Sequence, residues 1–347
     1  MSPNALESGR HSRERPFKPG QIIEKIPGSS EMLIQLSDGA VLHTVRRGNP
    51  NGIEVLKIDG FPSAAMEHHL PRVYDVDLSP FDYINFSRRG YYRSTGAPLT
   101  PFNHPTYWEL AQDSAEITAA LGVNESYVIA RSGGVPHALA YAARYPERVK
   151  GLVLLVPGLP RSMGGNPEEV KEPTNHIEDK PAGSLYKHLE NLAGRIKRQS
   201  TLLPFKLTEF PPGIDPYTIE DIESAKGIDQ GSLHIMYQMA IQNGIWGWFL
   251  DAWALSHDVG FDLQTVQAPT IIQSYRGDRF TALVGQELQR RVLNSVSFVN
   301  SGSHFKAFGD TERYLNVIRA VETGEGKDDI LKDGEWARRF YFFRPFG

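Results

Sequence analysis

Ser132 stands in the segment Ala130-Arg131-Ser132-Gly133-Gly134, between the apolar run Tyr127-Val128-Ile129-Ala130 and a stretch of helical character over residues 135–145. A serine with small residues two places to either side, on a sharp strand-to-helix turn, is held exposed on strained backbone and is placed for nucleophilic attack. The first small residue is alanine where glycine is commoner, so the flanking strand and helix carry the specificity of the pattern. A serine hydroxyl attacks poorly at neutral pH. It needs a general base within hydrogen-bond reach, and that base needs a carboxylate to orient it. Attack on an acyl carbonyl builds negative charge on oxygen, and the backbone N–H of Gly133, immediately after the nucleophile, is one donor for it. Of the 11 histidines, His137 is closest to Ser132 along the chain, but it sits on the following helix and reads as structural. His68 and His69 read as surface or helix-packing residues.

The elements that must position this turn alternate along the chain. Strands over 31–36 and 40–45 are joined at Ser37-Asp38-Gly39 as an antiparallel entry hairpin. A buried strand over 53–58 ends at Asp59-Gly60-Phe61-Pro62, and another covers 83–86. A helix from Tyr107 places Leu110, Ser114, Ile117 and Leu121 on one side. Strand 127–130, helix 135–145 and strand 149–156 follow. Alternation then stops, and residues 158–267 read as an inserted helical cap. It resumes with strand 270–274, a helix near 285–292, strand 295–299, a loop at 301–305 and a helix over 310–321. Repeated βα units imply an α/β fold with a mainly parallel sheet and helices on both faces. The chain thus divides into a flexible lead-in (1–30), a first core part (31–157), the cap (158–267), a second core part (268–322) and a C-terminal tail (323–347). The tail holds Trp336, Phe340, Tyr341, Phe342, Phe343 and Phe346, too aromatic for a purely solvated end.

These motifs together resemble the α/β-hydrolase family over residues 33–321, most weakly in the cap. Asp59-Gly60-Phe61-Pro62 is similar to the family's His-Gly oxyanion loop. Arg89-Gly90-Tyr91-Tyr92-Arg93-Ser94 is similar to its Arg-Gly-x-Gly-x-Ser turn, and Tyr145-Pro146-Glu147-Arg148-Val149 to its Pro-Glu-Arg-Val helix exit. Two departures stand out: Asp59 for the usual His, and Tyr92 for the second Gly of the turn. The resemblance implies the order serine, acid, histidine. On that order Asp278, in the loop Tyr275-Arg276-Gly277-Asp278, is the acid, and His304, in Gly302-Ser303-His304-Phe305, is the base. It also implies the backbone N–H of Phe61 as the second oxyanion donor. Asp251, Asp258 and Asp262 are the alternatives to Asp278. A carboxylate at Asp59 facing the oxyanion would oppose the chemistry. Asp59 is therefore expected to point away and to bond its own loop's backbone or one of Arg88, Arg89, Arg93 and Arg131. Trp246, Trp248 and Trp253 read as cap core or as a wall for an apolar substrate.

Composition bounds the reading. The 347 residues suffice for a large core with an insertion. A formal charge of −4, from 37 basic against 41 acidic residues, gives no field for nucleic acid. With no cysteine there is no disulfide framework or thiolate metal site. No secretory signal and no apolar run of about 20 residues is seen, so a cytoplasmic protein without a membrane partner is expected. The expected activity is cleavage of an ester, thioester, lactone or amide through an acyl-enzyme on Ser132, without cofactor or metal. The partner is a small acyl substrate, with a homodimer through the aromatic tail as a further expectation. The Gly-Asn-Pro-Asn-Gly lead-in at 48–52 and the cap placement are also similar to the proline iminopeptidase branch, with Glu190, Glu209 and Glu220 as cap carboxylates. Two other readings use the same residues: a non-hydrolytic elimination, acyl transfer or cyclisation, and a ligand-binding protein without turnover.

Overall fold

The computed structural model describes residues 17–60, 64–65, 77–95, 106–159, 260–302 and 304–344, with residues 239, 240, 242, 247, 250, 251 and 254. Nine strands form one sheet: β1 (Gln21–Lys25), β2 (Glu31–Gln35), β3 (Val41–Gly48), β4 (Ile53–Ile58), β5 (Phe81–Phe86), β6 (Ser126–Arg131), β7 (Val149–Leu155), β8 (Thr270–Tyr275) and β9 (Ser295–Asn300). Their spatial order is β1-β2-β3-β5-β4-β6-β7-β8-β9. The first three are antiparallel to their neighbours, and from β5 onward every pairing is parallel. The lead-in expected to be flexible up to residue 30 therefore contributes an edge strand. Main-chain pairing with β2 holds β1, although its side chains are mostly exposed and give no alternating apolar pattern to read.

Why the central strands are apolar throughout follows from the two faces of the sheet. Along β6, Val128 and Ala130 enter one core cluster while Tyr127 and Ile129 enter the other, as a two-residue period requires. The first face is covered by α1 (Tyr107–Ala120), α2 (Val135–Arg144) and the apolar side of α3 (Arg279–Arg291), through Ala115, Leu139, Val284 and Leu288. Helix α1 opens on a capping box, Thr106 with Glu109. The second face is covered by α4 (Ala307–Thr323) and, beyond the short α5 (Lys327–Lys332), by α6 (Gly334–Phe343). Leu263 and Val266, placed with the cap by sequence, pack in the first core cluster.

The aromatic tail docks on its own chain. Trp336, Phe340 and Phe343 are buried in the second cluster, and Arg339 beside them is fully buried. Its guanidinium donates to Tyr314 Oη at 2.9 Å, to Gln273 Oε1 at 2.6 Å and to the Glu335 carbonyl at 2.8 Å. It lies 3.9 Å from the Phe298 ring centroid and 4.5 Å from that of Trp336. Removing it leaves Gln273 and Tyr314 buried without that donor. Arg339→Ala is therefore expected to lower stability by about 2–4 kcal/mol. The check is the urea midpoint at unchanged slope, and a change below about 0.5 kcal/mol would mean the cluster is solvated.

Candidate active site

Ser132 follows β6 directly and adopts φ +48°, one of three left-handed non-glycine residues among those described. For a residue with a Cβ this backbone costs roughly 1–2 kcal/mol, so its surroundings must hold it. They do so by close approach. Ser132–Gly134 form one 3-10 turn leading into α2. A Cβ on Gly134 would lie 2.5 Å from the Asp59 carbonyl oxygen and 2.6 Å from that of Ile58. Only glycine fits there, which is the physical content of the small residue two places after the serine. From the other side, a Cβ on Gly60 would come 3.1 Å from Ser132 Cβ. The Ser132 carbonyl accepts from Gly158 N–H at 3.2 Å. The nucleophile turn is thus wedged between the ends of β4 and β7. Gly133 is buried and its N–H belongs to the 3-10 turn before α2.

Asp278 and His304 come from the C-terminal ends of β8 and β9, two parallel strands whose ladder continues past their ends. Arg276 N–H donates to the Asn300 carbonyl at 2.9 Å, and Gly277 N–H to the Gly302 carbonyl at 2.9 Å. Those bonds tie the acid loop to the histidine loop. His304 Nδ1 lies 2.7 Å from Asp278 Oδ2, and the other oxygen, Oδ1, accepts from Thr281 N–H at 3.1 Å as the N-cap of α3. Burial pushes the Asp278 carboxyl up, but the hydrogen bond and charge of His304 and the Thr281 N–H outweigh it and leave the group below its ordinary value. With that carboxylate ionised, a neutral His304 carries its proton on Nδ1 and presents Nε2 as the acceptor. Ser132, Asp278 and His304 all sit at the carboxyl end of the parallel strands, where sites form in open α/β sheets. Phe61, Trp246, Trp248, Trp253 and Asp258 lie outside the described residues.

Asp251 does not orient His304. It is buried and receives Arg88 Nη2 at 2.5 Å, Tyr91 Oη at 2.8 Å and His137 Nε2 at 3.3 Å. Burial pushes its carboxyl up, yet Arg88 and His137 bring it down to about 2. Asp262 caps a 3-10 turn through Gln264 N–H. Sequence reasoning had no access to the Arg88–Asp251 pair, because its members are 163 residues apart. The available signal was a lone acid, Asp251, among Gly247, Leu250 and Ala254 at helical spacing. Tyr92, standing where the related turn has glycine, has φ +49°, the conformation that explains glycine there.

Asp59 has one of the expected arginines, Arg131, at ion-pair distance, but its hydrogen bonds come from a lysine and an amide. By strand register Lys57 faces Asn85 on β5 and Ile129 on β6, so Lys57, Asp59, Asn85 and Arg131 project from one face of three adjacent strands. Lys57 Nζ donates to Asp59 Oδ1 at 2.6 Å and Asn85 Nδ2 to Oδ2 at 2.7 Å, while Arg131 Nη2 stands off at 3.8 Å. Burial raises the Asp59 carboxyl, but Lys57 and Arg131 overcome it and hold the group well below the usual range. Its stabilisation is full above the unfolded value near pH 4 and is lost as pH falls through the depressed folded value. The same holds for Asp251.

Comparison with known proteins bears on the fold. A model of the alpha/beta hydrolase fold matches residues 55–195. A proline iminopeptidase of Neisseria meningitidis is 32% identical over 121 residues, 35% of this chain and 38% of that relative. One from Arabidopsis thaliana is 30% identical over 121 residues, 35% and 31% respectively. The chain thus covers well under half the length of these relatives. Among solved structures, a thermophilic esterase from Thermogutta terrifontis aligns with TM-score 0.57 at 19% identity, covering 89% of this chain and 98% of that one. An epoxide hydrolase from Vigna radiata gives 0.56 at 19%, covering 85% and 98%.

With Lys57 fully buried, Asp59→Asn removes the carboxylate that its ammonium bonds at 2.6 Å and that Arg131 faces. The substitution is expected to cost about 3–5 kcal/mol and to flatten the loss of stability between pH 4 and pH 2. Chemical denaturation at pH 7 and pH 3 measures both, and unchanged stability at pH 7 would contradict the pairing.

Proposed function

We propose that this chain, which belongs to the α/β-hydrolase superfamily, is a serine hydrolase that cleaves an ester, thioester, lactone or amide of a small molecule. The observation that carries the reading is the left-handed Ser132 turn at the same sheet edge as a carboxylate-bound histidine. Ser132 Oγ attacks the acyl carbon as its proton passes to His304 Nε2, and the same proton then leaves with the departing alcohol, thiol or amine. Water attacks the acyl carbon as His304 Nε2 takes its proton, and that proton passes to Ser132 Oγ as the acyl–Oγ bond breaks and frees the acid. Asp278 holds the imidazole in the required tautomer and stabilises the imidazolium. The oxyanion donors are the N–H groups of Gly133 and Phe61. The cap, with Trp246, Trp248 and Trp253, selects the acyl chain. Likeness to proline iminopeptidases favours an aminoacyl substrate, and the esterase fold neighbours favour a plain ester; an N-terminal prolyl anilide and a nitrophenyl ester tried side by side separate these. Isotopic label from water entering the acid product distinguishes hydrolysis from elimination or acyl transfer.

Ser132→Ala and His304→Ala are each expected to lower kcat on an activated ester by roughly 10³–10⁶ with the fold intact, and the double variant to be little worse than either, since such groups act as a unit. Asp278→Asn is expected to lose about 10⁴ through the wrong tautomer. Steady-state kinetics on the four proteins decides this, and turnover surviving in Ser132→Ala would remove the mechanism.

A further inference from the structure

Arg88 is buried at the junction of three segments. Its Nη1 donates to the Asp59 carbonyl, its Nη2 donates to the Gly60 carbonyl at 2.7 Å, and its Nε and Nη2 reach the two oxygens of Asp251 at 3.3 Å and 2.5 Å. The guanidinium also lies 5.4 Å from the Tyr91 ring centroid, and a Cβ on Gly247 would meet that ring at 2.7 Å. Gly247 and Asp251 therefore both seat on the Arg88–Tyr91 turn. Two backbone carbonyls and a carboxylate need several donors in one plane, which a guanidinium has and an ammonium lacks. Asp251 supplies the counter-charge that allows the cation to stay dry.

In a planar peptide group the carbonyl oxygen and the N–H of the following residue point in opposite directions. A bond that fixes the carbonyl fixes the plane of that donor as well. We propose that Arg88 is a positioning residue for the oxyanion loop, aiming the second oxyanion donor through the Gly60 carbonyl, and that Asp251 makes this aim dependent on its own seating against Arg88. The inference rests on the serine-hydrolase reading and adds to it a path by which the Arg88–Asp251 pair reaches the rate of acylation. Arg89, its neighbour, serves a different end: it pairs with Asp113 at 2.6 Å and with Asp38 at 2.7 Å, away from the loop.

The test uses the full chain with p-nitrophenyl acetate and a methyl trifluoromethyl ketone, which binds as an oxyanion mimic. Wild type and Ser132→Ala are measured first, so that loss of the serine reading is seen by itself: Ser132-independent turnover overturns both claims. With that reading intact, Arg88→Met is expected to lower kcat about 10²-fold, as loss of one oxyanion donor does, with KM within about threefold, by the same estimate. The ketone inhibition constant should rise in proportion to the fall in kcat/KM. Arg88→Lys, which keeps the charge beside Asp251 and one carbonyl bond, should recover part of the loss. The double variant Arg88→Met with Asp251→Leu removes the ion pair without orphaning a charge, and should stay as slow as Arg88→Met when folded. If the folded double variant or Arg88→Lys keeps wild-type kcat, or if ketone affinity does not move with kcat/KM, Arg88 is a packing residue and the inference is overturned.

Discussion

Asp59 and Ile58, at the end of β4, stand so near the nucleophile turn that a single methyl group at Gly134 would collide with both carbonyl oxygens. The site depends on this approach. It wedges Ser132 into left-handed backbone, and it puts the Asp59–Gly60 loop beside that serine. An approach this close brings polar backbone and charged side chains into a dry space, and each must then find a partner. Lys57 and Asn85 hold the Asp59 carboxylate, and Arg88, itself paired with Asp251, holds the carbonyls of Asp59 and Gly60. Neither arrangement is cheap, since buried ions cost several kcal/mol each to desolvate. Their return is a fixed loop geometry.

The acid and the base are held more simply. Asp278 divides its two oxygens between the His304 ring and the first turn of α3, so the group that orients the imidazole is itself oriented by a helix cap. The two loops continue the β8 and β9 ladder. Under the proposed reaction, a pair tied in this way supplies the preorganisation from which catalytic stabilisation chiefly originates.

What could be read from the sequence was local. The strand-turn-helix at Ser132 and the alternation of elements declare themselves through periodicity and turn residues, and the loops of Asp278 and His304 through the family resemblance those motifs carry. The aromatic tail could be seen to need a surface, though Arg339 threaded between Phe298 and Trp336 could not. The partners of Asp59 needed strand register, because Lys57, Asn85 and Arg131 come from three strands whose pairing order departs from chain order. Asp251 seemed a spare acid for His304 because nothing in the sequence ties it to Arg88. Strand β1 escaped notice because pairing, which does not depend on side-chain pattern, holds it in place.

A direct measurement of the central claim is the intact mass of the protein, and of its Ser132→Ala variant, after exposure to a fluorophosphonate. Such a reagent forms a stable bond only with a serine that has been activated and faces oxyanion donors. The account predicts one adduct per chain, located on the peptide containing Ser132 and lost in Ser132→Ala. An unmodified wild-type chain, or an adduct on another residue, would contradict it.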